Sequence, residues 1–153
     1  MSTGEAVVIG VGNVMRGDDG IGPAVAAALA DRDLPSVRVA QSSADPVDLL
    51  DLWAGAALAI VVDAVRGDPG AAGEILLLGD GGGWLSGAPG SSHALGVADA
   101  VRLGAELDLL PDRLIMIGVV AAGFELGTAL SEPVAGALPY AVCAVLAALG
   151  CTG

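Results

Sequence analysis

The feature that most constrains the fold is a series of short, apolar and largely β-branched runs, most of them separated by segments with helix signals. Apolar runs of this length are typical of strands buried on both faces, as in parallel sheets covered by helices. Alternation of such strands with helices favours an α/β protein. We therefore predict a three-layer sandwich with a central, largely parallel twisted sheet flanked by helices. The predicted strands are Ala6–Gly10, Val37–Ala40, Leu58–Val62, Glu74–Leu78 and Leu114–Val120.

Proline and capping residues mark where the helices begin. A proline is favoured in the first turn of a helix, and an aspartate just before it satisfies the free backbone N–H groups there. The stretch Gly79–Ser92 is too rich in Gly, Ser and Pro for a regular element, so we predict a long loop. The predicted helices run from Pro23 to Ala30, from Asp45-Pro46 to Trp53, from His93 or Ala94 to Leu103, and onward from Ser131.

The last apolar segment, Pro133–Leu149, approaches the length of a membrane-spanning helix. It lacks flanking Lys or Arg and an aromatic belt, and it contains Gly136 and Pro139. Larger apolar residues recur at steps of three or four, which marks one dominant face. They are Val134, Leu138, Val142, Val145 and Leu149. We therefore predict a helix packed on the domain and no membrane association.

Length and charge narrow the functional class. The chain has 153 residues, about the size of one domain, so we treat residues 1–153 as a single domain. Its net charge of −12 repels phosphate backbones and anionic lipids, so nucleic acid is excluded as a partner. The N-terminus has no basic region before its apolar run, and Cys143 and Cys151 form no metal-binding or redox motif. We expect a cytoplasmic protein with reduced thiols.

Two adjacent carboxylates, Asp18 and Asp19, follow the glycine loop after the first strand. The loop does not fit a dinucleotide fingerprint, because Met15 replaces its third glycine and Gln41, not an acid, ends the second strand. A nucleotide-binding module is therefore the weakest functional class. One of the two aspartates can be explained as the cap of the next helix. For Asp18 we favour this capping role; the alternative is that Asp18 orients a metal ligand.

Asp63 directly follows the predicted strand Leu58–Val62, where open α/β sheets hold their ligands. His93, the chain's one histidine, follows the predicted loop, and imidazole is a common metal ligand. From position alone, Asp63 is equally explained as a turn residue, and a lone histidine such as His93 is more often incidental than a metal ligand. If Asp19, Asp63 and His93 meet at one edge of the sheet, they form an open site for nickel, zinc or a similar divalent ion.

These motifs resemble those of the endopeptidases that mature nickel-iron hydrogenases. The resemblance covers nearly the whole chain, with the motifs in the same order. The matching segments are Gly10–Asn13 with Gly17–Gly22, Val61–Ala64, Ser92–Gly96, and Phe124–Ser131 followed by Val134. The chain departs from the family pattern at two places. Gln41 stands where many relatives have an acidic residue, and Ala121-Ala122 stand where a Glu-Pro pair is common. We expect these differences to affect substrate preference.

The resemblance implies a cytoplasmic, aspartic-type endopeptidase that removes the C-terminal extension of a hydrogenase large-subunit precursor after nickel insertion. It assigns metal binding and catalysis to Asp19, Asp63 and His93. The nickel ion is expected to arrive with the substrate, and other divalent ions are expected to substitute for it in vitro. The hydrogenase large-subunit precursor is the expected partner, and a monomer is the favoured state.

Two alternatives stay open. A non-catalytic nickel-binding maturation factor would use the same three residues without cleaving the precursor. A protease of the same fold acting on another substrate would cleave without depending on nickel. The sequence offers no serine-protease motif and no recognisable cysteine nucleophile, which disfavours a covalent mechanism.

Overall fold

A computed structural model describes residues 5–43, 45–80, 94–125, 127 and 129–150. In this part of the chain, five strands form one sheet in the order β2-β1-β3-β5-β4, with helices on both faces. The strands are β1 Ala6–Val11, β2 Val37–Ser42, β3 Leu58–Val65, β4 Ile75–Asp80 and β5 Arg113–Val120. The helices are α1 Ile21–Ala30, α2 Pro46–Trp53, α3 Ala94–Leu107 and α4 Glu132–Ala148. The predicted α/β sandwich with a largely parallel sheet is confirmed.

One strand runs against the others. β1, β2, β3 and β5 pair in parallel, whereas β4 pairs antiparallel with β5 at the edge of the sheet. A parallel return needs a crossover of about a dozen residues or more, usually with a helix. The connection 66–74 between β3 and β4 contains only a short 3₁₀ turn, Pro69–Ala71. The chain therefore turns back directly, and β4 takes the opposite direction.

Apart from Asp63 in β3 and Arg113 at the start of β5, the central strands are apolar because each face of the sheet is covered by a pair of helices. α1 and α4 pack on one face, where Leu29 and Val145 are fully buried. α2 and α3 pack on the other, through Trp53 and Val97. Neighbouring residues of one strand contribute to opposite faces, as Val61 and Val62 do. This alternation fixes which face each side chain of the sheet meets.

The predicted start of α2 is confirmed in detail. Asp45 is the N-cap, and its Oδ1 accepts hydrogen bonds from the backbone N–H groups of Val47 (2.9 Å) and Asp48 (3.4 Å). Pro46 occupies the first turn. Capping and proline signals therefore located this helix correctly from sequence alone.

The terminal apolar segment is confirmed as a helix packed on the sheet. Val134, Val142 and Val145 of the predicted face are buried, and Leu138 and Leu149 are partly buried against the same core. The opposite side is exposed at Tyr140. Among the residues described, no helix combines the length and apolar character that a bilayer crossing requires.

Several boundaries differ from the prediction. α1 begins at Ile21, before Pro23, and β3 continues to Val65, so that Asp63 lies within the strand and not just beyond it. β4 reaches Asp80 and so includes the first two residues of the predicted loop Gly79–Ser92. The remainder of that loop, 81–92, lies outside the described residues, as does His93.

Substitutions of a buried and an exposed leucine test the packing of the core. Leu29→Ala removes a side chain with no exposed surface and is expected to lower the free energy of unfolding by about 2–5 kcal/mol. Leu107→Ala, at a position that is 54% exposed, is expected to change it by less than about 0.5 kcal/mol. Urea unfolding followed by circular dichroism measures both. Equal effects would contradict the assignment of α1 to the core.

Candidate functional site

The candidate site lies at the edge where the parallel strands end, here called the carboxyl edge. From β1 the chain moves to one side through α1 to β2, and it then returns through α2 to β3 on the other side of β1. Because the two connections lie on opposite faces, a crevice opens between the ends of β1 and β3. This reversal of strand order is where open α/β sheets bind their ligands.

Two glycines allow the backbone after β1 to fold back tightly onto this edge. Gly12 has a φ of +146°, and a Cβ there would lie 1.9 Å from the carbonyl oxygen of Asp19. A Cβ on Gly22 would lie 2.3 Å from the carbonyl oxygen of Val11 and 2.6 Å from that of Val62. Only glycine permits such contacts. They hold the Asp19 segment and the first turn of α1 against the ends of β1 and β3.

Asp19 lies in a 3₁₀ turn, Gly17–Gly20, and is 1% exposed. Its Oδ2 accepts a hydrogen bond from the backbone N–H of Asn13 at 2.9 Å. The Asn13 side chain in turn accepts from the N–H of Met15 at 2.9 Å, which closes a local turn. Asn13 therefore orients the Asp19 carboxylate through its backbone, and its own side chain keeps that backbone in place.

Asp63 is fully buried near the end of β3. Its Oδ1 accepts a hydrogen bond from the backbone N–H of Ala64 at 2.8 Å. On one side its register partner in β5 is Gly118, which has no side chain, and on the other side the pairing with β1 ends one residue earlier, at Val62. By strand alternation, Asp63 points to the face that α2 and α3 cover.

Asp18 does not cap α1, and neither does Asp19, because the N-cap is Gly20 and no side chain caps this helix. Asp18 is 1% exposed, and its Oδ2 accepts from the N–H groups of Ala122 (2.7 Å) and Gly123 (3.1 Å) and from the Ser131 hydroxyl (2.8 Å). Its Oδ1 accepts from the N–H of Ser131 at 2.6 Å. The capping interpretation is wrong: Asp18 joins the Asp19 turn to the segment between β5 and α4.

The structure thus brings Asp19 and Asp63 to the same edge, since the 3₁₀ turn contacts β3. Within the described ranges, no three His, Cys, Asp or Glu side chains are grouped closely enough to hold a metal ion. His93, the predicted third ligand, lies outside those ranges. The assignment of Asp19, Asp63 and His93 as the catalytic and metal-binding set therefore stays a prediction.

A groove runs along the segment between β5 and α4. One pocket, of about 290 Å³, is lined by Arg66 and by residues 121–125. A second, of about 320 Å³, shares Ala122, Gly123 and Glu125 with the first and reaches Asp18. No sequence motif pointed to Arg66. Its place three residues after Asp63 was the available signal.

An open α/β sheet with buried carboxylates at its carboxyl edge defines an enzyme-like α/β protein with its site at the strand-order reversal. The family model described as hydrogenase maturation protease, HycI, matches residues 23–148, which is most of the chain. The chain belongs to the hydrogenase maturation protease family and is a peptidase.

Solved structures agree with this membership. The hydrogenase maturating endopeptidase HybD from Escherichia coli is 27% identical, with a TM-score of 0.83 over 95% of this chain and 91% of that one. HybD from Thermococcus kodakarensis is 25% identical, with a TM-score of 0.82 over 95% and 99%. A hydrogenase 2 maturation peptidase from a Thaumarchaeota archaeon is 26% identical, with a TM-score of 0.70 over 97% and 99%. No curated protein sequence gives a significant match.

The close approach at Gly22 predicts a large effect of one methyl group. Gly22→Ala is expected to lower the free energy of unfolding by about 1–3 kcal/mol, because the new Cβ overlaps two backbone carbonyls. Gly136→Ala is the matched control in α4, where a Cβ meets nothing within 4 Å and helix propensity favours alanine by up to about 1 kcal/mol. Thermal unfolding compares the two variants. The same sign for both would contradict the described packing.

The hydrogen bonds of Asp18 predict that replacing it destabilises the fold, whereas replacing the exposed N-cap residue Asp45 does not. Asp18→Asn places an amide N–H₂ among hydrogen-bond donors and is expected to lower the free energy of unfolding by about 3 kcal/mol. Asp45→Asn keeps a good N-cap residue at an exposed position and is expected to stay within about 0.5 kcal/mol of the parent. Chemical denaturation measures both, and a fully stable Asp18→Asn variant would refute the network's structural role.

Proposed function

We propose that the chain removes the C-terminal extension of a nickel-loaded [NiFe]-hydrogenase large-subunit precursor, and that Asp19, Asp63 and His93 contact the nickel of that substrate. The observation that carries the proposal is the convergence of two buried carboxylates, Asp19 and Asp63, at the carboxyl edge of a hydrogenase maturation protease fold. The HybD relatives are named as hydrogenase maturation proteases, which supports the substrate class.

The direction of α3 supports His93 as the third ligand. β5 runs parallel to β3 and begins beside Ala57, whose carbonyl accepts from the Arg113 N–H at 3.1 Å. The helix before β5 therefore runs from the carboxyl edge toward the opposite edge. Its first residue, Ala94, directly follows His93 in the chain, and its buried residue Val97 lies on the face toward which Asp63 points. Two carboxylates and one imidazole suit a divalent ion such as nickel.

A metal that comes with the substrate makes cleavage selective. Precursor without nickel lacks the interactions of these three side chains, so it binds less tightly and stays uncut. Hydrogen bonds already orient the buried carboxylates; the backbone N–H of Asn13, for example, donates to Asp19. Little conformational entropy of these side chains is therefore lost when the ion arrives.

The chain's own residues favour hydrolysis by water over a covalent intermediate. The Ser131 hydroxyl donates a hydrogen bond to Asp18, and Cys143 is exposed on α4. Neither has the environment of an activated nucleophile. The carboxylate oxygens of Asp19 and Asp63 are the groups that can accept a proton from an attacking water. We therefore propose that cleavage is of the aspartic type.

Substitutions at the carboxyl edge test the proposal. Asp19→Asn, Asp63→Asn and His93→Ala are each expected to lower the cleavage rate at least about a hundredfold, because each removes a ligand or proton acceptor. Asp51→Asn, at an exposed position of α2, is the control and is expected to cleave like the parent. Intact-mass spectrometry of the precursor measures cleavage, and thermal unfolding checks that each variant is folded.

The same assay separates the alternatives. Loss of a C-terminal fragment from the nickel-loaded precursor alone supports the proposal. Equal loss from loaded and nickel-free precursor would retain the peptidase and reject nickel as the signal. No loss from either form would reject this substrate, and nickel binding without cleavage would support a maturation factor instead. Full activity of His93→Ala would remove His93 from the site.

A further inference from the structure

Arg66 presents a fixed positive charge beside the candidate site. It follows β3 and lies three residues beyond Asp63. Its guanidinium carbon lies 4.9 Å from the centroid of the Phe124 ring, which is partly buried. Stacking on an aromatic face orients the planar guanidinium while leaving its N–H donors available at the edge.

Arg66 is not held by an acid of its own. Arg38 pairs with Glu5 and Arg102 pairs with Asp99, whereas no carboxylate of the described residues lies within ion-pair distance of Arg66. What distinguishes Arg66 is that its guanidinium lies over an aromatic ring, in a chain with a net charge of −12. Its N–H donors border the pocket that Phe124 and Glu125 also line.

The pocket next to Arg66 has the form of a peptide subsite. Its volume of about 290 Å³ suits one side chain or a chain end, and its walls are largely backbone, glycine and alanine. It continues through Ala122 and Gly123 into the pocket that reaches Asp18, next to Asp19. The hydrogen bonds from Ala122 and Gly123 to Asp18 make this wall rigid. An extended chain in this groove would pass the carboxyl edge on its way to Arg66.

We propose that Arg66 binds a carboxylate of the precursor's C-terminal segment, and so positions the extended chain for cleavage. This inference rests on the proposed function. A guanidinium recognises carboxylate oxygens through two parallel N–H donors, which fixes orientation as well as position. The carboxylate belongs either to an acidic side chain of the extension or to its free C-terminus.

Steady-state cleavage of the nickel-loaded precursor tests this role. Arg66→Gln is expected to raise KM about fivefold with kcat unchanged, the size expected for an ion pair in partly solvated surroundings. Arg66→Lys keeps the charge but not the paired donors and is expected to recover part of the loss. Arg102→Gln removes the same charge from an exposed pair on α3 and is expected to leave KM unchanged. Thermal unfolding of Arg66→Gln should match the parent.

Altered substrates identify the carboxylate. In one precursor the acidic side chains of the extension are replaced by Asn and Gln, and in another the C-terminus is amidated. Arg66→Gln should have no further effect on the precursor that lacks the recognised carboxylate, because the two changes remove one interaction. Independent, additive effects with both precursors would overturn the proposal. If the parent cleaves and Arg66→Gln equals it, this assignment alone fails; if the parent cleaves nothing, the proposed function fails with it.

Discussion

The contact on which the rest of the site depends is the approach of Gly22 to the carbonyl groups of Val11 and Val62. It lets the first turn of α1 lie directly on the ends of β1 and β3, at a distance that no side chain permits. The 3₁₀ turn that carries Asp19 is then pressed against Gly12 and lies beside β3. A carboxylate from the loop and one from the strand therefore share an edge because three backbone segments are in direct contact.

Two adjacent aspartates have different functions in this arrangement. Asp18 is saturated by donors from the β5–α4 segment and is a structural residue. Asp19 is oriented by a backbone donor from the turn that Asn13 closes. Asp18 holds the groove wall at Ala122 and Gly123 in place, whereas Asp19 belongs to the proposed reaction. The proposed substrate positioning and the proposed chemistry are thus linked through neighbouring residues of one short turn.

The sequence predicted the layers and most elements because apolar runs, proline and capping residues are local signals. Asp45-Pro46 located α2, and the apolar face of α4 was correct at Val134, Val142 and Val145. What the sequence did not reveal depends on distant contacts. The role of Asp18 rests on hydrogen bonds to residues 104 to 113 positions away, and Arg66 meets Phe124 only in the folded chain. Asp63 lies inside β3 because its pairing with β5 continues to Val65, a register that no local pattern encodes.

The network around Asp18 also sets the order in which the site can be completed during synthesis. Its partners Ala122, Gly123 and Ser131 are made long after residue 18, and β5 and the start of α4 must be in place before they can donate. In a nascent chain that has formed only β1 and α1, the Asp18 carboxylate has none of these donors, and burying it without them would be unfavourable. The hydrogen bonds that hold the groove wall therefore form only after the chain has been synthesised through the start of α4.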